Sequence, residues 1–502
     1  MLKNKFDFKF FSFLILPLIL YLPIFFLNDI WDGVTFQYAS DQNDFSGAKR
    51  WALESGYIIQ YFKYILLNHI SNLFNIKFNF LIDFTFIILL FLISLEIYFI
   101  QSKIFKLDKK ISYFSIILFL TFPSHHIVVS SILLIHYVCL YFSVFGTRLL
   151  FYEKIYLKII GFLLILISLQ LNSNFLYVPG LYFIYSICYK EKKILLKNSI
   201  LILTLIILFF ILKKYFPSYG EYASYNKISL KLNFFDIFNK LKMFFSFLTF
   251  IIFPTSICLL FYFLLKFFKI RIYKFKISLY YFIYCNIILI CSIIPYIVVN
   301  KYTHLFDAVE WYQRHSILMS FPYALIMGLL STQIIINLNF RTKTFSLYPF
   351  LLITLFLNLF IFTGAIYKKV ERQLFDINLI NNLQNIDPPP SGLVEIVSKN
   401  IPSPAHRSYE SNYLLYNAYG LSDWHSRIGR EVKIDFDYPI WINNKNSILY
   451  KKHYISNNLK TGCKTNITLG EGLDFFERIK SFYIFQSHKL YSIEEVIIKC
   501  EK

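Results

Sequence analysis

Carboxylates are the scarce charge in this 502-residue chain: 30 Asp and Glu stand against 51 Lys and Arg. Almost none of the acids falls inside a long apolar run, Asp83 and Glu96 being the chief exceptions. Paths for ions or solutes through a bilayer carry ionisable groups at depth, so this shortage argues against a transporter or flippase. No internal repeat marks an inverted-repeat transporter either. Cysteine is sparse, and none of the seven stands in a CxxC or Cys/His ligand spacing, which argues against a structural zinc site. Cys139, Cys188, Cys258, Cys285 and Cys291 lie in apolar runs and read as small hydrophobes. Cys463 and Cys500 sit in the tail, where an oxidising compartment would let them form a disulfide. Met1 to Asn28 has a basic start and a long apolar run but lacks a small-residue cleavage site, so it is expected to be retained as a first span.

What the chain has in abundance is apolar length. Hydrophobic residues make up 57% of it and the mean hydropathy is +0.53, beyond any ordinary soluble domain. A span needs roughly 20 mostly apolar residues. By that rule about eleven are expected, near 9–27, 78–101, 111–124, 127–149, 156–171, 175–189, 197–213, 243–265, 277–299, 316–338 and 345–366. The loops between them alternate. Lys103, Lys106, Lys109 and Lys110, then Lys190, Lys192 and Lys193, then Lys266, Lys269, Arg271, Lys274 and Lys276, then Arg341 and Lys343 mark one side. The intervening loops at 123–126 and 172–174 have no Lys or Arg, whereas 214–242 breaks the pattern with five lysines. Basic loops stay in the cytoplasm, so the N-terminus is expected inside and the tail outside. The net charge of +21 is assigned to anionic lipid headgroups rather than to nucleic acid.

The expected fold is an all-α polytopic membrane bundle over 1–366 with a small extracytoplasmic α+β domain over 367–502. Val370, Leu374, Ile377, Ile380 and Leu383 suggest an amphipathic helix, Pro388-Pro389-Pro390 a stiff break, and Leu393–Val397 and Ile434–Tyr438 short strands.

The non-basic loops collect the groups able to do chemistry. The first reads Asn28-Asp29-Ile30-Trp31-Asp32-Gly33, followed by Asp41 and Asp44. A carboxylate at the mouth of a span can have a raised pKa and act as a general base; Asn-Asp and Asp-Gly are equally turn formers. Residues 57–75 carry a broken polar stripe of Gln60, Lys63, Asn68, Ser71, Asn72 and Asn75, which suits a helix lying in the membrane interface. Pro123-Ser124-His125-His126 is a tight turn whose histidines point apart. Asn172-Ser173-Asn174 is a polar corner that either hydrogen-bonds a hydroxylated ligand or caps helix ends. The last such loop holds Lys301, His304, Asp307, Glu310, Trp311, Arg314 and His315. Arg314, at the start of a span, suits a phosphate because its fork of donors matches the oxygens; an anchor paired with Glu310 is the plainer role.

This layout resembles the GT-C superfamily of polytopic glycosyltransferases, which use lipid-linked sugar donors. The likeness rests on the acidic Asn28–Asp32 motif after the first span, the helix at 57–75, the basic Lys301 and Arg314 in a late loop, and the soluble tail. It departs from the family in that Asp29 and Asp32 are separated rather than adjacent, with Asp41 and Asp44 competing. The resemblance implies transfer of a sugar from a polyprenyl-phosphate donor to an extracytoplasmic hydroxyl on a cell-envelope glycan, lipid or protein, at a bacterial inner membrane. Asp29, with Asp32 second, would be the base. Lys301, Arg314 and His315 would hold the phosphate, and Asn174 would bind substrate. No cofactor is implied, although Asp29 or Asp32 could take a divalent cation. The absence of a nucleotide-binding loop agrees with an activated donor. The rivals are a transporter or flippase of lipid-linked glycans and a polysaccharide polymerase or ligase.

Overall fold

The computed structural model describes residues 15, 19, 21–27, 33–41, 45–186, 192–215, 217–219, 234–267, 272–273, 279–301, 303, 311–331, 335–340, 343–347, 349–385, 393–397, 413–415, 417–418, 425–429, 463–469 and 493–500. Helices dominate them. Three short-to-medium helices, α1 (Gly33–Asp41), α2 (Ser46–Ser55) and α3 (Ile58–Phe74), precede the first long one, α4 (Phe78–Phe99), which a π-turn extends to Ile104. Then come α5 (Lys109–Leu120), α6 (Leu134–Leu150), α7 (Ile155–Ser168), α8 (Asn174–Ser186), α9 (Lys192–Tyr215), α10 (Phe234–Phe267), α11 (Leu279–Val298), α12 (Ser320–Ser331) and α13 (Pro349–Leu383).

Among the described residues, five helical stretches are long and apolar enough to cross a membrane: Phe78–Ile104, Ser131–Leu150, Leu195–Tyr215, Tyr280–Val298 and Leu352–Leu383. This is the make-up of a membrane protein. The sequence led us to expect about eleven, and part of the difference has a physical cause. Helices α5 and α12 have only 12 residues each, yet they lie in the interior, with Leu118, Phe119, Phe321, Tyr323 and Leu325 fully buried. Backbone at membrane depth can be short or irregular where protein rather than lipid surrounds it. Gly328 of α12 lets the pair close up, since a Cβ there would collide with Ser115 and Gln101. The expected span at 316–338 is divided. Its first part is a 3-10 turn, Trp311–Met319, and its last part is the strand Ile335–Phe340. The expected first span at 9–27 lies largely outside the described residues.

Strands β1 (Ile272–Tyr273), β2 (Ile335–Phe340) and β3 (Lys343–Leu347) form an antiparallel sheet in that order. The alternation Ile336-Asn337-Leu338-Asn339-Phe340 has the period of a strand, a signal masked by reading the run as helix. In the sheet Ile272 lies opposite Ile336, and Phe340 lies opposite Lys343.

Helices α6 and α7 pack tightly because glycine faces glycine. A Cβ on Gly146 would stand 2.9 Å from the Gly161 carbonyl oxygen, and one on Gly161 would stand 2.7 Å from that of Gly146. Small residues at such crossings let backbones approach. Glu96 of α4 pairs with Arg148 of α6 at 3.1 Å, and the guanidinium also covers the rings of Phe99 and Phe145.

Helix α3 is polar toward the protein and apolar away from it. Gln60, Asn68 and Ser71 are buried, while Phe62, Leu66, Leu73 and Phe74 are each at least 60% exposed. Gln60, Asn68 and Ser71 of the expected polar stripe therefore lie on the inner face with Tyr64 and Leu67, whereas Asn72 and Asn75 are exposed; the apolar outer face suits lipid contact.

Helix α13 crosses 366/367 without a break. At 35 residues it is about 52 Å long, longer than the roughly 30 Å core of a bilayer. Beyond it, β4 (Leu393–Val397), β5 (His425–Gly429), β6 (Cys463–Leu469) and β7 (Ile493–Cys500) form a sheet ordered β5-β4-β6-β7. The last two are antiparallel, with Cys463 directly opposite Cys500. The expected strand at 434–438 lies outside the described residues.

Candidate functional site

The end of α11 sets up the site. Asn300 adopts a left-handed conformation, φ 54°, its N–H donating to Ile297 O at 3.0 Å and that of Lys301 to Tyr296 O at 2.9 Å. This is a Schellman cap, in which an asparagine tolerates the positive φ. Lys240 fixes the cap from α10 by donating to Asn300 Oδ1 at 3.1 Å. Tyr296 in turn places its ring 5.0 Å from that of His315 and its hydroxyl 3.2 Å from Ser173 Oγ. The turn Trp311–Met319 is held from beneath: Ser124 Oγ donates to Gln313 Oε1 at 2.8 Å and also contacts Ser316 Oγ. Arg314 and His315 are only 7% and 2% exposed.

These elements enclose a cavity of about 400 Å³, within the range of small-ligand sites. Lys301, Arg314, His315, Lys213 and His136 line it, with Asn172 and Ser173. None of its lining residues, among those described, is a carboxylate. The other walls are apolar, built from Phe175, Leu176, Phe209, Phe210, Ile294 and Val298. Phe175 stacks on Phe209 with centroids 5.6 Å apart, and Phe210 lines the cavity while standing 56% exposed on the outer surface. Burial, and after it the positive charge of Arg314, push the Lys301 ammonium down to about 7. Two cations held close enough to resist one another favour an anion between them.

The first loop reaches the cavity through α3. Phe36 of α1 stacks on Tyr64 at 3.9 Å, and Ser40 donates to Asn68 Oδ1 at 2.8 Å. Gln60, a cavity residue, donates to Ile132 O at 2.8 Å. Lys63 adds a bond to Ser131 O at 3.3 Å.

Three of the sequence-derived site residues, Lys301, Arg314 and His315, thus share one cavity. Asn174 does not line it: its Nδ2 donates to Ser143 Oγ at 2.9 Å, Ser168 O at 3.1 Å and Cys139 O at 3.3 Å, which ties the corner between α7 and α8 to α6. Asp29, Asp32 and Asp44 lie outside the described residues. His125 and His126 are buried and turned apart, Nδ1 of the first lying 2.6 Å from the Tyr137 hydroxyl and Nδ1 of the second 2.5 Å from Pro123 O. Burial holds the His125 imidazole down at about 3, so it stays neutral. No group of three metal-binding side chains occurs among the described residues.

His136, Lys213 and Gln60 are cavity residues that sequence reasoning did not single out. His136 lies inside an apolar run, Lys213 ends one like any flanking charge, and Gln60 was read only as part of a stripe. Their common feature, a polar group in the terminal turn of a largely apolar helix, is visible in the sequence only once the ends that meet are known. No protein family, characterised protein or solved structure matches this chain.

Proposed function

We propose that the protein is a membrane glycosyltransferase that moves a sugar from a polyprenyl-phosphate donor to a hydroxyl on a cell-envelope glycan, lipid or protein, outside the cytoplasm of a bacterium. The observation that supports this reading is the cavity itself: Lys301, Arg314 and His315 converge on a space whose remaining walls are aromatic and aliphatic. Such a surface complements a molecule with an anionic head and a long apolar tail. The architecture that goes with it is a bundle of about eleven spans with its cavity end and α+β tail domain outside.

In this reading the acceptor oxygen attacks the anomeric carbon. The new C–O bond forms as the bond to the phosphate oxygen breaks, and the electron pair leaves with the phosphate. Asp29, with Asp32 second, takes the acceptor proton. Arg314 and Lys301 stabilise the charge growing on the departing phosphate, and fixed donors of this kind commonly lower a barrier by a few kcal/mol. His315, packed against Tyr296, lies alongside.

The test is transfer of radiolabelled sugar from polyprenyl-phosphate donors to lipid or glycan acceptors by the purified protein in nanodiscs. Arg314→Gln and the double variant Asp29→Asn/Asp32→Asn should each lose at least a hundredfold in rate. Full activity of the double variant would instead favour a polymerase or ligase. Movement of an intact lipid-linked glycan across liposomes without a new glycosidic bond would favour a flippase.

A further inference from the structure

The corner between α7 and α8 carries two amides with different surroundings. Asn174 turns inward and holds three helices together. Asn172 lines the cavity, and its Oδ1 is buried with no hydrogen-bond partner among the described residues. A buried acceptor left unsatisfied is costly; the Oδ1 of Asn174 is likewise without a partner among the described residues, and what sets Asn172 apart is that it lines the cavity, where a ligand could supply the missing donor. The neighbouring Ser173 hydroxyl does not supply it, being engaged with Tyr296. His136, on the same cavity wall, contacts the Leu133 backbone and lies in the fields of Arg314, Lys63 and Lys301. Neutral polar groups and cations therefore share one space.

A bare lipid phosphate would answer the cations and leave Asn172 Oδ1 without a donor. A phosphate that carries a sugar brings O–H donors within one ring's width of the anion. We infer that Asn172 accepts a hydrogen bond from a hydroxyl of the sugar next to the phosphate, so that the cavity selects glycosylated lipid phosphate over the bare carrier. This rests on the reading above, in which the cations hold the phosphate, and it names a specificity-determining residue within that site.

Binding can be measured on the full chain in nanodiscs with four probes: polyprenyl phosphate alone, and the same lipid phosphate bearing glucose, galactose or mannose. The wild type should bind at least one glycosylated probe about tenfold more tightly than the bare one. Asn172→Ala and Asn172→Ser should erase that preference while holding the bare lipid within twofold of wild type, which also shows that they fold. Arg314→Gln should weaken all four probes. Equal wild-type affinity for all probes overturns the inference without recourse to any variant, as does a preference that survives both Asn172 substitutions. Selective binding lost in the Asn172 variants, but with no sugar transfer by the wild type, would sustain this inference and defeat the transferase reading alone.

Discussion

Burial, and after it the charge of Arg314 across the cavity that the two residues line, lowers the proton affinity of Lys301. The lysine sits near 7, far below its ordinary value of 10.5, and its charge is therefore open to change near neutral pH.

An anion bound between them favours the protonated lysine. The sign follows: below about pH 7 Lys301 is charged and helps hold a phosphate, and as pH rises through that value the help is lost. Affinity for polyprenyl phosphate should fall roughly tenfold between pH 6 and 8.5, the loss of one close charge being worth on the order of 1.4 kcal/mol. Lys301→Arg, which keeps its charge throughout, should flatten that profile. Parallel profiles for the two proteins would show that the lysine does not titrate in this range.

The Glu96–Arg148 pair joins α4 to α6 with the carboxylate side chain only 4% exposed. Removing one partner of a buried pair leaves the other uncompensated, at a cost of about 3 kcal/mol or more. Glu96→Ala should therefore lower the unfolding temperature in detergent markedly, and the double variant Glu96→Gln/Arg148→Met should recover most of the loss. A double variant as unstable as the single one would show that the pair does more than neutralise itself.

Gly146 and Gly161 set the separation of α6 and α7. Even one added methyl at Gly161 meets carbonyl oxygen at 2.7 Å, so Gly161→Ala should destabilise by about 1–3 kcal/mol, the usual penalty for overpacking. Thermal unfolding followed by tryptophan fluorescence reads this directly, and an unchanged midpoint would mean the helices separate without cost.

Cys463 and Cys500 are opposite one another at the end of the β6–β7 ladder. Directly opposed residues of antiparallel strands have Cα separations of about 4.5–5.5 Å, inside the range a disulfide spans. Labelling of the tail with a membrane-impermeant maleimide should appear only after reduction. Labelling at full yield without reduction would count against the bridge.

The candidate site was legible in the sequence where a loop was both polar and placed on the non-basic side. Lys301, Arg314 and His315 qualified, and they line one cavity. Asn174 qualified too, yet its amide serves the helix corner while Asn172, two residues earlier, faces the cavity. Position within a three-residue turn decides this, and hydropathy has no resolution at that scale. His136 was hidden because one histidine barely alters the apolar average of a span. In the fold, Phe78–Ile104 and Ser131–Leu150 followed from length alone. The short, enclosed α5 and α12 did not, because an apolar segment reads the same whether lipid or protein surrounds it.

The inverted polarity of α3 carries a further consequence. Lifting that helix into water would bare Phe62, Leu66, Leu73 and Phe74 together, a change the hydrophobic effect opposes strongly. Gln60, on its inner side, is bonded to Ile132 at the cavity wall, so any shift of α3 would be passed directly to the chamber.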